Sequence, residues 1–219
     1  MKIKYLIAIM FAVSAFAACN KDDNFNYPEG TVGISKIIYF PAVTINGDRL
    51  IILKEGDTYT EPGVVATLNG QPADVVTTGA VNTAVPGVYD LTYTASNDQG
   101  YTASDWRTVV VIGNDVSGND FSGTYKKVLP TVGVTSTWTK TADGVYTVEN
   151  PGGSAGIGLT VIAVNYTGNE IKIPHQISPD FGEVSSQDES YDPSATPVTY
   201  SWAFIAGGYG NYVRTFEKQ

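Results

Sequence analysis

The chain has 219 residues, of which 42% are hydrophobic and 11% aromatic, and it carries 22 acidic against 13 basic side chains. This composition is ample for a folded core and excludes a chain that is disordered throughout. The formal net charge of −9 argues against binding to nucleic acid or to anionic lipid surfaces, because both partners require clusters of Lys and Arg.

The first segment, residues 1–18, has the order of a bacterial export signal. Lys2 and Lys4 form a basic start, an apolar stretch runs from Tyr5 to Phe16, and two small residues, Ala17 and Ala18, end the segment. The apolar stretch is too short for a permanent transmembrane helix. Removing residues 1–18 takes two lysines away and changes the formal net charge from −9 to −11.

Cys19 follows this signal directly and is the only cysteine in the chain. A lone thiol in an exported protein has no internal disulfide partner, and Phe16-Ala17-Ala18-Cys19 is typical of a lipobox, whose cysteine is acylated. Each buried methylene of such an anchor contributes about 0.8 kcal/mol, so we expect permanent attachment to a membrane through lipid. The alternative is ordinary secretion after Ala17 or Ala18, which would leave a free cysteine.

Residues 19–31 are predicted to form a flexible tether, since Asn, Asp, Pro and Gly recur there without apolar periodicity. Its start, Asn20-Lys21-Asp22-Asp23, resembles the surface-export signal of Bacteroidota lipoproteins. This resemblance implies an outer-membrane lipoprotein exposed on the outer leaflet. Attachment facing the periplasm is the alternative.

Residues 32–113 show no helical pattern and are predicted to form a β-sandwich domain. In one segment Tyr89, Leu91 and Tyr93 alternate with polar residues, which is the period of a strand with one buried face. Similar runs of β-branched and aromatic residues recur between turn residues. The predicted strands are Ile34 to Phe40, Arg49 to Leu53, Val64 to Leu68, Val88 to Ala95 and Thr108 to Ile112.

A polar linker at residues 114–120 separates this domain from a second β-domain at residues 121–219. The short connections there predict an antiparallel meander, either closed into a small barrel or folded into a sandwich, and the chain as a whole is predicted to be all-β. Tight hairpins are expected at residues 142–144 and 167–169, where Asp-Gly and Gly-Asn suit the turns. The predicted strands are Gly123 to Leu129, Thr135 to Thr141, Val145 to Glu149, Gly156 to Tyr166, Glu170 to Ile177, Val198 to Ala206 and Tyr212 to Glu217.

The first domain resembles the immunoglobulin-like repeats of bacterial surface proteins, a family of unknown function. Pro-Gly pairs before strands and an Asp-Gln-Gly hairpin turn are part of the likeness. The motifs are Leu53-Lys54-Glu55-Gly56-Asp57-Thr58-Tyr59, Glu61-Pro62-Gly63-Val64, Val81-Asn82-Thr83, Val85-Pro86-Gly87-Val88-Tyr89, Leu91-Thr92-Tyr93-Thr94-Ala95 and Asp98-Gln99-Gly100. The resemblance implies an Ig-like module that acts as a spacer or binds a partner, without catalysis.

The second domain resembles the C-terminal partner that follows such Ig-like domains in Bacteroidota lipoproteins, which is also of unknown function. The likeness rests on Phe121-Ser122-Gly123-Thr124-Tyr125, Asp143-Gly144-Val145-Tyr146 and the glycine-rich run Gly207 to Gly210. Relatives with this arrangement occur in glycan-acquisition systems, so the resemblance implies carbohydrate as the ligand class.

Catalysis has little support in the sequence. His175 is the only histidine and has no Gly-x-Ser-x-Gly motif beside it, so we interpret it as structural. One imidazole and one lipidated thiol do not make a zinc site, and we expect no catalytic residue, metal or cofactor. The acidic stretch from Asp180 to Asp192 is interpreted as a long exposed loop. Calcium binding or a pair of glycosidase carboxylates in that stretch stays open.

Aromatic side chains in the second domain are the candidate ligand contacts, because sugars stack their C–H faces on flat rings. The candidates are Trp138, Trp202, Tyr209 and Tyr212. Trp202 shares a strand face with Tyr200 and Phe204 and is expected in the core, with ligand contact as the alternative. Tyr209 lies between Gly208 and Gly210, so little neighbouring bulk is expected to bury it. Trp106 is expected to close a loop at the end of the first domain.

The sequence therefore predicts a membrane-anchored lipoprotein that acts as a non-catalytic binding module for a glycan or for a partner protein of an outer-membrane glycan-uptake complex. The alternative is a structural or adhesive spacer without a small ligand, and a glycan hydrolase is a third hypothesis. Two or more exposed aromatics beside the glycine-rich run would favour glycan binding, and a smooth acidic surface would favour the spacer.

Overall fold

The computed structural model describes residues 28–32, 35–156 and 158–219. The chain divides into a unit Met1–Tyr39 and a unit Phe40–Gln219. In the first unit, strands β1 (Thr31–Val32) and β2 (Ser35–Lys36) pair antiparallel. The predicted signal, the lipidation site at Cys19 and the residues of the tether before Pro28 lie outside the described residues.

The second unit begins with two sheets that form a sandwich. One sheet has the strand order β3-β5-β6 and the other the order β4-β9-β8-β7, with β4 parallel to β9. The strands are β3 (Pro41–Ile45), β4 (Leu50–Lys54), β5 (Val64–Leu68), β6 (Gln71–Pro72), β7 (Val76–Thr78), β8 (Gly87–Ser96) and β9 (Thr102–Ile112). We call these strands the N-terminal sandwich. Its existence confirms the predicted Ig-like sandwich.

The long strands β8 and β9 differ in burial because one face of β8 is covered, whereas both faces of the second half of β9 are covered. In β8, Leu91, Tyr93 and Ala95 are buried and their neighbours are more exposed, as expected for a strand with one covered face. In β9 every residue from Arg107 to Ile112 is buried, because a second layer of the molecule covers its other face. A continuous apolar run such as Val109 to Ile112 is typical of a strand buried on both faces.

Inside the sandwich, the fully buried Arg107 is held by a carboxylate and by backbone carbonyls. Its guanidinium lies 3.1 Å from Glu61 Oε1 and donates to the carbonyls of Asp48 and Asn46. Glu61 also accepts hydrogen bonds from the hydroxyls of Tyr59 and Tyr93. Burial alone would raise the pKa of Glu61, but these hydrogen bonds, together with the Gly63 amide and the charge of Arg107, lower it. Glu61 is therefore held as a carboxylate.

Nine further strands form one antiparallel sheet, which we call the curled sheet. They are β10 (Gly123–Leu129), β11 (Thr135–Ala142), β12 (Val145–Glu149), β13 (Thr160–Thr167), β14 (Glu170–Lys172), β15 (Gln176–Ser178), β16 (Gly182–Asp192), β17 (Thr199–Ile205) and β18 (Arg214–Lys218). The strand order is β14-β13-β12-β11-β10-β18-β17-β16-β15. This arrangement confirms the predicted antiparallel meander.

The two outermost strands of that order, β14 and β15, are successive pieces of the chain separated by Ile173, Pro174 and His175. The sheet therefore curls until its ends meet, and the Ser186 amide donates to the Ile173 carbonyl at 3.1 Å across the closure. The predicted single strand Glu170 to Ile177 is thus divided, because Pro174 has no N–H to donate to a ladder.

Aromatic side chains fill the inside of the curl. Trp138 and Trp202 stack with ring centroids 5.3 Å apart, and Tyr200 packs edge-on against both. Tyr125, Tyr146, Phe204 and Phe216 belong to the same cluster. A closed sheet of about eight strands has an interior just wide enough for side chains. These aromatic rings therefore fill the inside of the curled sheet as a packed core.

The sandwich and the curled sheet share a second apolar cluster. Val110 and Ile112 of β9 pack with Val116 and Val164, and the half-buried side chains of Leu50, Ile52, Val88, Val145, Ile162 and Tyr166 surround them. Polar contacts reinforce the junction, since the Gly113 amide donates to the Tyr166 carbonyl at 2.8 Å and Asp115 accepts from the Gly168 amide at 2.7 Å.

Some local predictions were wrong. The acidic stretch is strand β16 and not an exposed loop: Val184 and Ser186 face inward while the carboxylates occupy more exposed positions. Its few apolar residues hide the strand from a search for hydrophobic alternation. Trp106 lies within β9 instead of in a loop. Both expected hairpins, at residues 142–144 and 167–169, are present.

Candidate functional site

The candidate site lies at the start of β18, where the glycine-rich run joins the curled sheet. Arg214 is the first residue of β18 and pairs across the ladder with Trp202. Arg214 and Phe216 share one strand face because side chains alternate, and both are buried. Arg214 is only 1% exposed, so the fold places a guanidinium in its apolar interior.

Arg214 organises the loop that precedes it. Its Nη1 donates to the Tyr212 carbonyl at 3.1 Å, and its Nη2 donates to the Tyr209 carbonyl. The guanidinium carbon lies 3.9 Å from the centre of the Tyr212 ring and 5.5 Å from that of Tyr209, within the range of cation–π attraction. The loop is therefore held by one charged side chain.

The charge of Arg214 is not matched by a carboxylate. No acidic oxygen lies within 4 Å of its nitrogens among the residues that the structure describes, and its buried Nε has no hydrogen-bond partner there. A guanidinium has five N–H groups, and the two loop carbonyls take two of them. Three N–H groups thus have no acceptor from the described protein.

Tyr209 is buried, contrary to the expectation that the glycines would leave it exposed. It is 8% exposed and packs edge-on against Phe204, with ring centroids 4.9 Å apart. The loop folds back over the end of the sheet, and a Cβ on Gly152 would lie 2.1 Å from the Tyr209 ring, so only glycine leaves room there. Burial raises the pKa of Tyr209, although Ser154 and Arg214 oppose this, and the hydroxyl stays protonated at neutral pH.

Around Arg214 the surface forms a small pocket, which we call the loop pocket. It has a volume of about 130 Å³ and is lined by Ser154, Gly208, Tyr209, Tyr212 and Arg214. Tyr212 is 48% exposed, so its ring is the aromatic surface that a ligand meets first. Such a pocket offers a hydroxyl, an aromatic ring and a guanidinium to a ligand.

Of the four predicted aromatics, the structure brings Tyr209 and Tyr212 together in the loop pocket. Trp138 and Trp202 lie in the core at 2% and 0% exposure, and Trp202 Nε1 donates to the Pro151 carbonyl at 2.9 Å. These two indoles present no surface to a ligand, because both point into the curl. The predicted group of four therefore reduces to one exposed ring backed by one buried ring.

Two of the larger hollows in the second unit lie away from the loop pocket. An apolar groove of about 440 Å³ is lined by Ile52, Leu53, Ile112, Ala142 and Val145, with Lys54, Asp57 and Asp143 around it. A polar pocket of about 250 Å³ is lined by Asp90, Lys172, His175, Ser185, Ser186 and Gln187. Neither hollow is lined by a Trp, Tyr or Phe ring.

The histidine and the acidic residues are engaged in separate contacts. His175 stacks on Trp106 with ring centroids 3.5 Å apart, and its Nε2 lies 3.2 Å from Glu183. Glu189 binds Lys172 at 3.0 Å, and Asp192 accepts from the amide of Ser194. In the described part of the chain, no three His, Cys, Asp or Glu side chains are grouped as a metal site would require.

Sequence reasoning missed Arg214 and Ser154. A signal for Arg214 was present: it stands two residues before Phe216 at the start of a strand, so both side chains lie on the same, inward-facing side of that strand. A basic residue in an inward phase is unusual, since arginine is almost never fully buried without a partner. Ser154 gave no such signal, because only the folded loop brings it near Tyr209.

Comparison with known proteins agrees with the architecture of the sandwich. Residues 43–111 match the family model described as "Bacterial surface protein, Ig-like domain". The matched residues lie within the N-terminal sandwich. No curated protein matches the chain.

Among solved structures, the chain is similar to the crystal structure of a lipoprotein from Bacteroides thetaiotaomicron. The two are 23% identical over 82% of this chain and 100% of that chain, with a TM-score of 0.38. Within the described residues, no helix has the length and apolar character needed to cross a membrane.

Proposed function

We propose that this protein is a cell-surface lipoprotein that binds a glycan without catalysis, either as free polysaccharide or while it is held by an outer-membrane uptake complex. The observation that carries the proposal is the loop pocket, where the half-exposed Tyr212 ring is fixed by Arg214 beside a hydroxyl. A ring whose position is already fixed loses little freedom when a sugar stacks on it, which favours binding.

The Ig-like domain supports the location, because the family that residues 43–111 match is described from bacterial surface proteins. The export signal and Cys19 supply the anchor, and the Asn20-Lys21-Asp22-Asp23 segment supplies the surface-export signal. In this arrangement lipid holds the N-terminus, and the curled sheet contacts the ligand.

The anchor is tested by changing Cys19 to Ala. We expect the variant protein to move from the membrane fraction to the soluble fraction, because the acyl acceptor is gone. Protease treatment of intact cells should degrade the unchanged protein if it is displayed outward. Retention of the variant in membranes, or full protection from protease, would contradict the anchor or the surface location respectively.

Glycan binding is tested by affinity electrophoresis and calorimetry of the full-length protein against neutral and acidic polysaccharides. Tyr212→Ala should remove most of the binding, because it deletes the exposed ring of the pocket. Tyr101→Ala is a matched control: Tyr101 is 45% exposed but lies in the turn before β9, beside Phe40. Equal loss in both variants, or no binding to any polysaccharide, would contradict the proposal.

A structural spacer is the second candidate, and the apolar junction of Val110, Ile112, Val116 and Val164 favours it. We expect a junction of this kind to hold the sandwich and the curled sheet together as one folding unit. We therefore expect a single unfolding transition, seen alike by tryptophan fluorescence and circular dichroism. Two separate transitions would remove the basis for a rigid spacer.

A further inference from the structure

We propose that the loop pocket binds the carboxylate of an acidic sugar, with Arg214 as the cation that receives it. This inference rests on the proposed glycan binding and adds the chemical class of the ligand. It starts from the unmatched charge of Arg214, which is 1% exposed and has no carboxylate partner among the described residues.

A buried cation is costly unless hydrogen bonds and an opposite charge compensate it. Two carbonyls and two aromatic rings supply part of this compensation for Arg214. Three of its N–H groups, including the buried Nε, are left without a protein acceptor in the described chain. The missing group is an anion with more than one oxygen, which matches the fork of a guanidinium.

Arg107 is the structural counterpart of Arg214: its Nε also lacks a hydrogen-bond partner in the described chain, but a carboxylate lies beside it. It is equally buried, and it has the Glu61 carboxylate at 3.1 Å in addition to backbone carbonyls. Arg214 has the carbonyls without the carboxylate, and it lines a pocket open to the surface. We infer that the ligand brings the carboxylate that the protein does not provide.

The other lining groups favour a sugar acid over other carboxylates. The Tyr212 ring offers a face or edge to C–H groups, and Ser154 offers a hydroxyl to a ring hydroxyl. The acidic net charge of the chain does not prevent this binding, because at physiological ionic strength charges farther than about 8 Å away are largely screened.

The test compares acidic polysaccharides with their own carboxyl-reduced forms, measured by calorimetry with the full-length protein in detergent. Suitable pairs are polygalacturonate, alginate and hyaluronan, each beside its reduced polymer. We expect at least one acidic polymer to bind about tenfold or more tightly than its reduced form, and its affinity to fall with added salt.

Equal binding of an acidic polymer and its reduced form, or binding to neutral glycans alone, would overturn this inference and leave glycan binding intact. Binding to no glycan of either kind would overturn the proposed function, and the inference with it. Equal binding of poly-glutamate would overturn the assignment to a sugar, because it would show a general carboxylate site.

Variants of Arg214 provide a second test of the inference. Arg214→Lys keeps the positive charge and loses the planar fork of N–H donors, so we expect the affinity for the acidic polymer to fall about tenfold. Arg214→Gln loses both the charge and the fork, so we expect a larger fall. Lys126→Gln is the control, since it removes one positive charge from an exposed position on β10. Circular dichroism and the unfolding midpoint verify that each variant is folded. Unchanged affinity in a folded Arg214→Gln protein would overturn the inference.

Discussion

The two buried arginines of this chain differ in what surrounds them. Arg107, in the N-terminal sandwich, is matched by Glu61, and that carboxylate is itself fixed by Tyr59 and Tyr93. Arg214, in the curled sheet, is matched by loop carbonyls and aromatic rings alone. The comparison teaches that a buried cation is a structural element where the protein supplies its counter-charge, and a candidate ligand contact where it does not.

Among the charged residues, the largest expected effect is the loss of the Glu61 carboxylate. Glu61→Gln leaves Arg107 buried without a counter-charge, and breaking such a pair costs about 3 kcal/mol of unfolding free energy. Urea denaturation followed by fluorescence measures the loss. Glu183→Gln is the control, because Glu183 is an exposed partner of His175 and its loss should cost less than about 1 kcal/mol. Equal costs in the two variants would contradict a structural role for the Arg107 pair.

Lowering the pH should also show how much the Glu61 carboxylate contributes to stability. The pKa of Glu61 is lowered from its ordinary 4.5, so its contribution to stability is fully present above that value and is lost as pH falls through the lower, folded pKa. Unfolding free energy should therefore decrease on acidification below about pH 5. The decrease should be shallower in Glu61→Gln, where Asp105, whose pKa Arg49 lowers against the effect of burial, still contributes. Parallel pH curves for the two proteins would count against this account.

Removing Arg214 should cost less than breaking the Arg107 pair. Arg214→Met keeps the apolar stem and loses two hydrogen bonds and the cation–π contacts, for which we expect about 1–2 kcal/mol. The cost stays small because no carboxylate is left unpaired. Denaturation by urea, run beside Glu61→Gln, gives the comparison. A larger loss for Arg214→Met would mean that its charge is a structural element after all.

The smallest change in stability is expected for Tyr212→Ala. The ring is half exposed and its main contact is the Arg214 guanidinium, so we expect a loss of about 0.5 kcal/mol. Trp202→Ala is the contrasting variant: it opens a cavity in the aromatic core and should cost about 3–5 kcal/mol. Thermal unfolding separates the two, and a Tyr212 effect near that of Trp202 would show that the loop is part of the core.

The strands and turns were largely readable from the sequence. Tyr89, Leu91 and Tyr93 alternate with polar residues, and Val64–Leu68 is a strand with the predicted bounds. The hairpins at residues 142–144 and 167–169 follow from glycines placed between β-branched runs. Strand β16 was missed because its inward positions include Ser186, which a hydrophobic pattern does not mark.

The site was readable only in part. The glycine-rich run indicated the correct loop and Tyr212, but it gave the wrong exposure for Tyr209 and no sign of Ser154. Gly152 is far from Tyr209 in the sequence and becomes its neighbour when the loop folds back over the sheet. Local composition shows how bulky the sequence neighbours of a residue are. Burial depends instead on segments that are distant in the sequence and become neighbours in the fold.

By itself, the sequence determined the β-class of this protein, its antiparallel hairpins and the resemblance to an Ig-like domain, because side-chain alternation and turn chemistry are local properties. Only the tertiary structure decided which face of each strand became the interior. Alternation places Arg214 and Phe216, or Tyr200 and Trp202, on a common face, and the curling of the sheet then turned that face inward. That closure buried Trp138 and Trp202, and it placed Arg214 at the end of the core, beneath the loop pocket.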